Sequence, residues 1–298
     1  MSFFRNKDDN RLKSGWRICL FLILFWVFAA TIFVVKPLLG DLTKREFLQG
    51  YSLLIVSILA IGATISVRIA RKYFDKKSWI SLGLVVSKKT YQDLLFGFAL
   101  SGLMAGIFFV LLLLFDLISF QGINFSNQFF GSGYSYLEFM KVMSLGTLLL
   151  LLTEHILVGY WEELVFRGYI LQNLMEGLGR YLAVLVSCLI YGLIHMANPN
   201  AGILSSAIIV FFGYLRIYGY LSTKMLWLSM GMHIGWNFFQ GPIFGFAASG
   251  HRHATLLEIS IISEKTWLTG GEFGPEGSVL ILPILLFALM IMKAYSKR

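Results

Sequence analysis

Trp161-Glu162-Glu163-Leu164-Val165-Phe166-Arg167-Gly168 lies inside sequence that otherwise reads as membrane-spanning. A carboxylate in hydrocarbon is costly, and two side by side cost more. Ionisable residues at membrane depth therefore mark function by default, and they need a partner. The partner is near. Arg167 follows Glu163 by four residues, and acid-first is the favourable order for an intrahelical pair. Glu162 is rotated from Glu163 by about 100° on a 3.6-residue helix. The two carboxylates therefore need not play the same role. One is held by Arg167, and the other is free to face a cavity as a base.

The surrounding chain supports the membrane reading. Of 298 residues, 57% are hydrophobic and 14% charged, where soluble domains carry about 25% charged residues. Mean hydropathy is +0.73. That depletion excludes a soluble core. The 16% aromatic content suits a bilayer, whose interfaces favour Trp and Tyr. The net charge of +9 points to orientation and contact with anionic lipid, not to nucleic acid. Cys19 and Cys188 fall in separate apolar stretches and read as inert small hydrophobes.

Apolar segments long enough to cross a bilayer fall near 16–38, 50–70, 94–118, 142–160, 181–197, 202–221, 225–247 and 279–294. The first is roughly 20 residues, longer than a signal-peptide core of about 7–15, and is expected to be retained. The fold expected is an all-α integral membrane protein with about eight transmembrane helices. No repeat or low-complexity linker divides it. We treat it as one domain, with three spans over 1–139, a core over 140–245, and a loop with a last helix over 246–298.

Charge sets the expected topology. Basic residues cluster in the tail (Arg5, Lys7, Arg11, Lys13, Arg17), after the second span (Arg68, Arg71, Lys72, Lys76, Lys77, Lys88, Lys89) and at the end (Lys293, Lys297, Arg298). The positive-inside rule makes these cytoplasmic and both termini inside. The 119–140 loop, without Lys or Arg, and the 248–278 loop, with Glu258, Glu264, Glu272 and Glu276, are then outside. The 36–49 loop strains this scheme, because it lies outside with Lys36, Lys44 and Arg45. The cell membrane is the expected location. Asp116 marks the outer end of the third span. Helix-compatible sequence runs from Val142 to Met175, roughly 50 Å against a core of ~30 Å, so a break at Gly159 is expected.

Two further segments add polar groups. His195 ends an apolar helix just before Asn198-Pro199, a turn signal. His233 and Asn237 are four apart and share a helix face. A base, a histidine and a His/Asn pair are the parts for activating water and stabilising an oxyanion. Each piece alone also reads as packing. Glu163–Arg167 could be bundle glue, and His195 or His233–Asn237 could be interhelical hydrogen-bonders. Glu154-His155 reads as structural or supporting, and His251-Arg252-His253 as a solvated loop feature.

Glu-Glu-x-x-x-Arg at 162–167, a helix ending in His195, and His-x-x-x-Asn at 233–237 together resemble the CAAX prenyl protease and bacteriocin-processing family of type II CAAX endopeptidases. The similar region runs from about 140 to 245. Ile80-Ser81-Leu82-Gly83-Leu84 also resembles the family's segment ahead of its core. Tyr191 departs from the Phe frequent there.

The resemblance implies a conical, cavity-forming bundle and hydrolysis of a peptide bond near the membrane surface. Glu162 would activate the water. Glu163 with Arg167 would hold the helix, His195 would position the water, and His233 and Asn237 would hold the oxyanion. The family is commonly described as metalloproteases, and Glu162, His195 and His233 are candidate zinc ligands with an open position. Asn237 is a poor zinc ligand, and the residues suit one zinc ion and none equally. The substrate implied is a peptide or lipidated protein. A non-proteolytic scaffold acting as an immunity or membrane-partner protein is the alternative. A transporter is a weaker one, since no matching half precedes residue 140. Oligomeric state stays open.

Overall fold

The computed structural model describes residues 4–6, 10–40, 43, 47, 51–127 and 143–297. Lys7, Lys44, Arg45, Arg298 and the 128–140 part of the outside loop, which entered the topology above, lie outside the described residues. The described residues are mostly helical, at 72%. Five helical stretches are long and apolar enough to cross a membrane: Ser14–Leu39, Ser52–Tyr73, Lys88–Leu114, Arg180–Ala197 and Ile203–Thr223. The chain is a multi-pass membrane protein. The other three expected spans are helical but shorter or more polar: Leu145–Glu163, Trp227–Phe238 and Ile281–Ser296.

In chain order the helices are α1 (Ser14–Ala29), α2 (Thr31–Val35), α3 (Ser52–Tyr73) and α4 (Lys88–Leu114). Then follow α5 (Leu145–Glu163), α6 (Leu171–Leu178), α7 (Arg180–Ile194), α8 (Ile203–Thr223) and α9 (Trp227–Phe238). Short α10 (Thr266–Thr269) and α11 (Ile281–Ser296) close the chain. Their starts obey local chemistry. The Thr90 hydroxyl accepts from Ser87 N–H in a capping box before α4, and Ser144 Oγ accepts from Thr147 N–H at the start of α5. Asp116, with φ 51°, follows the end of α4.

No break occurs at Gly159. The helix continues through a π-helical turn, Leu164–Ile170, into α6, and stops at Gly179, whose φ of 75° favours glycine. Gly159 serves instead as a contact. A Cβ there would meet Ile234 Cγ1 at 2.6 Å, so glycine lets α5 and α9 close up. A π-turn frequently marks a functional site, and this one begins directly after Glu163.

The all-α expectation needs one correction. β1 (Ile118–Ile123) pairs antiparallel with β2 (Leu257–Ile261), in register Ile118 to Ile261, with a bulge between Phe120 and Gly122. The alternating Leu-Glu-Ile-Ser-Ile of β2 carried the signal. The pairing joins the two loops expected on one side of the membrane.

α9 sits between two apolar clusters. Met230 and Ile234 belong to the one that includes Phe21, Val67, Leu164 and Tyr169. Leu228, Met232 and Trp236 belong to the other, with Leu100, Phe108, Phe212 and Ala288. His233, between these faces, is enclosed. α9 also lies very close to α4. A Cβ on Gly97 would meet Leu228 O at 2.6 Å, one on Gly231 Leu94 O at 2.2 Å, and one on Gly235 Phe98 O at 2.6 Å. Small residues permit such backbone approach in membranes. Gly231→Ala is therefore expected to cost about 1–3 kcal/mol through overpacking. Gly106→Ala, whose Cβ would meet only Phe244 Cζ at 3.6 Å, should cost nothing. Thermal unfolding in detergent compares the two.

The Ile80–Leu84 stretch docks beneath α9. Gly83 has φ 97°, and its Cβ would meet Lys224 O at 2.8 Å. Its carbonyl accepts from Leu226 N–H at 3.0 Å, and Leu82 O accepts from Gln172 Nε2 at 2.9 Å.

Candidate active site

The two glutamates end α5, and their environments differ sharply. The Glu163 side chain is 0% exposed and surrounded by donors. Arg167 Nη1 donates to its Oε1 at 3.1 Å, His233 Nδ1 bonds the same oxygen at 2.9 Å, and Ser229 Oγ donates to Oε2. The Glu162 side chain is 14% exposed, and Tyr191 Oη donates to its Oε2 at 3.0 Å. His233 Nε2 lies 3.8 Å from that oxygen. That exceeds a direct hydrogen bond, but a water seated beside the pair reaches both.

His233 thus bridges the carboxylates. A carboxylate only accepts, so the Nδ1 facing Glu163 carries a proton and the ring is fixed with Nε2 towards Glu162. α9 places His233, and Ser229 one turn earlier holds Glu163. Ser229 Oγ also lies 3.0 Å from Arg216 O, tying α8 to the pair.

His195 reaches the cluster indirectly. It is half-buried, its Nδ1 lies 2.7 Å from Tyr191 O, and its ring lies 4.4 Å from the Tyr191 ring. A carbonyl only accepts, so Nδ1 bears the proton and Nε2 is free to accept. Asn237 is half-buried one turn beyond His233, and its side chain hydrogen-bonds no described residue. The structure therefore joins Glu163, Arg167 and His233 directly and brings Glu162 beside His233. It links His195 through Tyr191 and leaves Asn237 unengaged on the same helix.

Three members escaped sequence reasoning. Arg216, 3% exposed in α8, donates from Nη1 to Tyr191 Oη. It is an arginine inside an apolar run, so the rule that singled out Glu162 would have found it. Tyr191 bridges Arg216 and Glu162, and the Arg167 guanidinium stacks 4.3 Å from its ring centroid. Ser229 had no sequence signal.

Of the remaining candidates, Glu154 accepts from Ser52 Oγ at 2.8 Å. His155 is buried with both ring nitrogens unpartnered, and it packs edge-on to the His253 ring at 5.2 Å. His253 is therefore half-buried against the bundle, not solvated as expected. His251 is exposed, and Arg252 forms a bidentate pair with Glu272.

Whether zinc is held is open on the sequence, with Glu162, His195 and His233 as candidate ligands. Among the described residues no group of three His, Cys, Asp or Glu is placed to hold a metal ion. Glu162, His195 and His233 are not gathered into such a set. These side chains as arranged do not fit a three-ligand zinc site.

Residues 144–239 match the family model of type II CAAX prenyl endopeptidases, Rce1-like. Over this third of the chain the protein is similar to that family. The match falls inside the region whose motifs carried the resemblance, so that resemblance holds. Comparison with curated proteins gives no match. The Rce1-like stretch contains α5 to α9, and so every residue of the cluster just described.

Ser229→Ala separates support from chemistry. It removes a hydrogen bond to a buried carboxylate, worth about 1.5–3 kcal/mol. Its unfolding midpoint should fall while any hydrolytic activity stays within severalfold, because Ser229 touches Glu163 and not Glu162.

Proposed function

We propose that this chain is a membrane endopeptidase in which Glu162 activates the attacking water. One observation carries the reading: the adjacent glutamates are unlike. Glu163 spends its oxygens on Arg167, His233 and Ser229, which suits a positioning residue. Glu162 accepts one hydrogen bond and keeps partial access, which suits a base.

Glu162 removes a proton from water held beside His233 Nε2, with His195 Nε2 as a second acceptor. The hydroxide attacks the scissile carbonyl carbon. Negative charge grows on the carbonyl oxygen and is met by the Asn237 side-chain amide, a donor left unengaged for it. The C–N bond then breaks, and the proton taken by Glu162 passes to the leaving nitrogen. A carboxylic acid and an amine result, and the acid's proton passes to the amine, leaving carboxylate and ammonium. The charge pattern supports both termini on the cytoplasmic side.

The substrate class is a peptide or lipidated protein, with a prenylated C-terminus implied by the family. The test is purified protein in detergent with a quenched peptide library holding farnesylated and unmodified members, with and without a zinc chelator. Cleavage supports the reading, and the chelator lane decides metal dependence. No cleavage by well-folded protein replaces it with the non-proteolytic scaffold.

A further inference from the structure

Two turns before Glu162 on α5, His155 is 3% exposed, and neither of its ring nitrogens has a hydrogen-bond partner among the described residues. Seven residues along a helix return to nearly the same face, about 10 Å further along the axis. α5 and α9 run antiparallel here. Glu163 meets Ser229 and His233, and Gly159 meets Ile234. His155 therefore stands on the Glu162 face of α5, where the end of α9 passes.

A turn covers it. The His253 ring lies edge-on to the His155 ring at 5.2 Å, and its Cδ2 lies 3.6 Å from where a Cβ on Gly241 would stand. The residue before that glycine, Gln240, is fully buried, and both polar atoms of its side-chain amide are unpartnered. A neutral imidazole carries one donor and one acceptor, and a Gln amide carries both kinds. Burying such groups unmatched is expensive. The closed turn bears that cost at His155, because withdrawing His253 would give the imidazole water.

A small latch opposes the cost. Residues 248–251 close on themselves, Ala248 N–H donating to His251 O at 2.8 Å and His251 N–H to Ala248 O at 3.0 Å. Ser249 and Gly250 sit at φ 48° and 84°, and the serine is strained there. Three bonds hold the turn from outside. Asn198 Nδ2 donates to Ser249 O at 3.1 Å, Gly250 N–H donates to Phe273 O at 2.9 Å, and Ser249 Oγ donates to buried Glu276. The buried apolar side chains within 248–254 are the small Ala248 and Ala254. Little apolar burial and a few polar bonds make a segment that can open without unfolding the bundle.

We propose that residues 248–254 form a lid, closed in this structure, whose opening bares His155 and the face of α5 that leads to Glu162. The lid is independent of the hydrolytic reading. The test uses the full chain in detergent, with hydrogen exchange over 248–254 and diethyl pyrocarbonate labelling of each histidine, both read by mass spectrometry. Exposed His251 is the fast reference for labelling, and the α7 amides are the control for exchange. Ser249→Ala removes a latch bond to a carboxylate, so the lid amides and His155 should both react about tenfold faster or more. His155→Leu removes the unmatched group beneath, so the lid amides should exchange about fivefold slower or more. The α7 amides should not change in either variant. Ser249→Ala, at a half-buried turn position, is read alone if His155→Leu does not accumulate. Constant His155 labelling in Ser249→Ala overturns the proposal. So does lid exchange that both variants leave unchanged or shift in one direction, or a shift that the α7 amides share equally.

Discussion

Glu162→Gln is expected to lower the rate of peptide cleavage by about 10²–10⁴, the range that a positioned general base contributes. The substitution is nearly isosteric. Gln keeps an acceptor for Tyr191 Oη, so the local hydrogen bond survives. It removes the ability to take a proton from water. Glu162 holds none of the contacts that fasten α5 to α9 through Glu163, so the unfolding midpoint should move little. Loss of activity with a wild-type melting curve is the expected pair of results. A variant that cleaves at a wild-type rate removes Glu162 from the chemistry.

Arg167→Met is expected to act on stability first. The Arg167 and Glu163 side chains are 1% and 0% exposed. Removing one partner of a buried pair leaves the other charge uncompensated, at about 3–5 kcal/mol. Here the stranded group also holds His233 and Ser229, so the loss spreads across α5, α8 and α9. The protein should melt much lower in detergent or fail to accumulate. The double variant Arg167→Met with Glu163→Leu should recover part of the loss, since neither member of the pair is then left buried alone. Full recovery is not expected, because His233 still loses its acceptor. A single variant that melts like wild type would show that the pair contributes nothing to the fold.

The candidate site was largely legible because costly residues stand out against apolar sequence. Glu163 and Arg167 declared their pairing by spacing, and the structure forms it at 3.1 Å. Arg216 was equally visible and was passed over within a span counted for its hydropathy. Contacts set by tertiary closeness were not legible. Ser229 is an ordinary serine until α9 docks on α5. Trp236 Nε1 donates to buried Glu276 at 2.9 Å across forty residues, while Glu276 read as loop acidity. The π-turn after Glu163 has no sequence mark, so the long helix was expected to break at Gly159, the residue that packs closely against Ile234. The seventh span came as twelve helical residues followed by a π-turn holding Pro242, which shortens what hydropathy alone extends to 247.

The most direct test of the division between the two glutamates is cleavage in ¹⁸O-water, with enzyme in excess over a peptide that the wild type processes. Mass spectrometry then reads the new C-terminus. The account predicts one ¹⁸O in the new carboxylate at a single peptide bond with wild type, and uncut peptide with folded Glu162→Gln over the same interval. Labelled product from Glu162→Gln at the wild-type rate would contradict it.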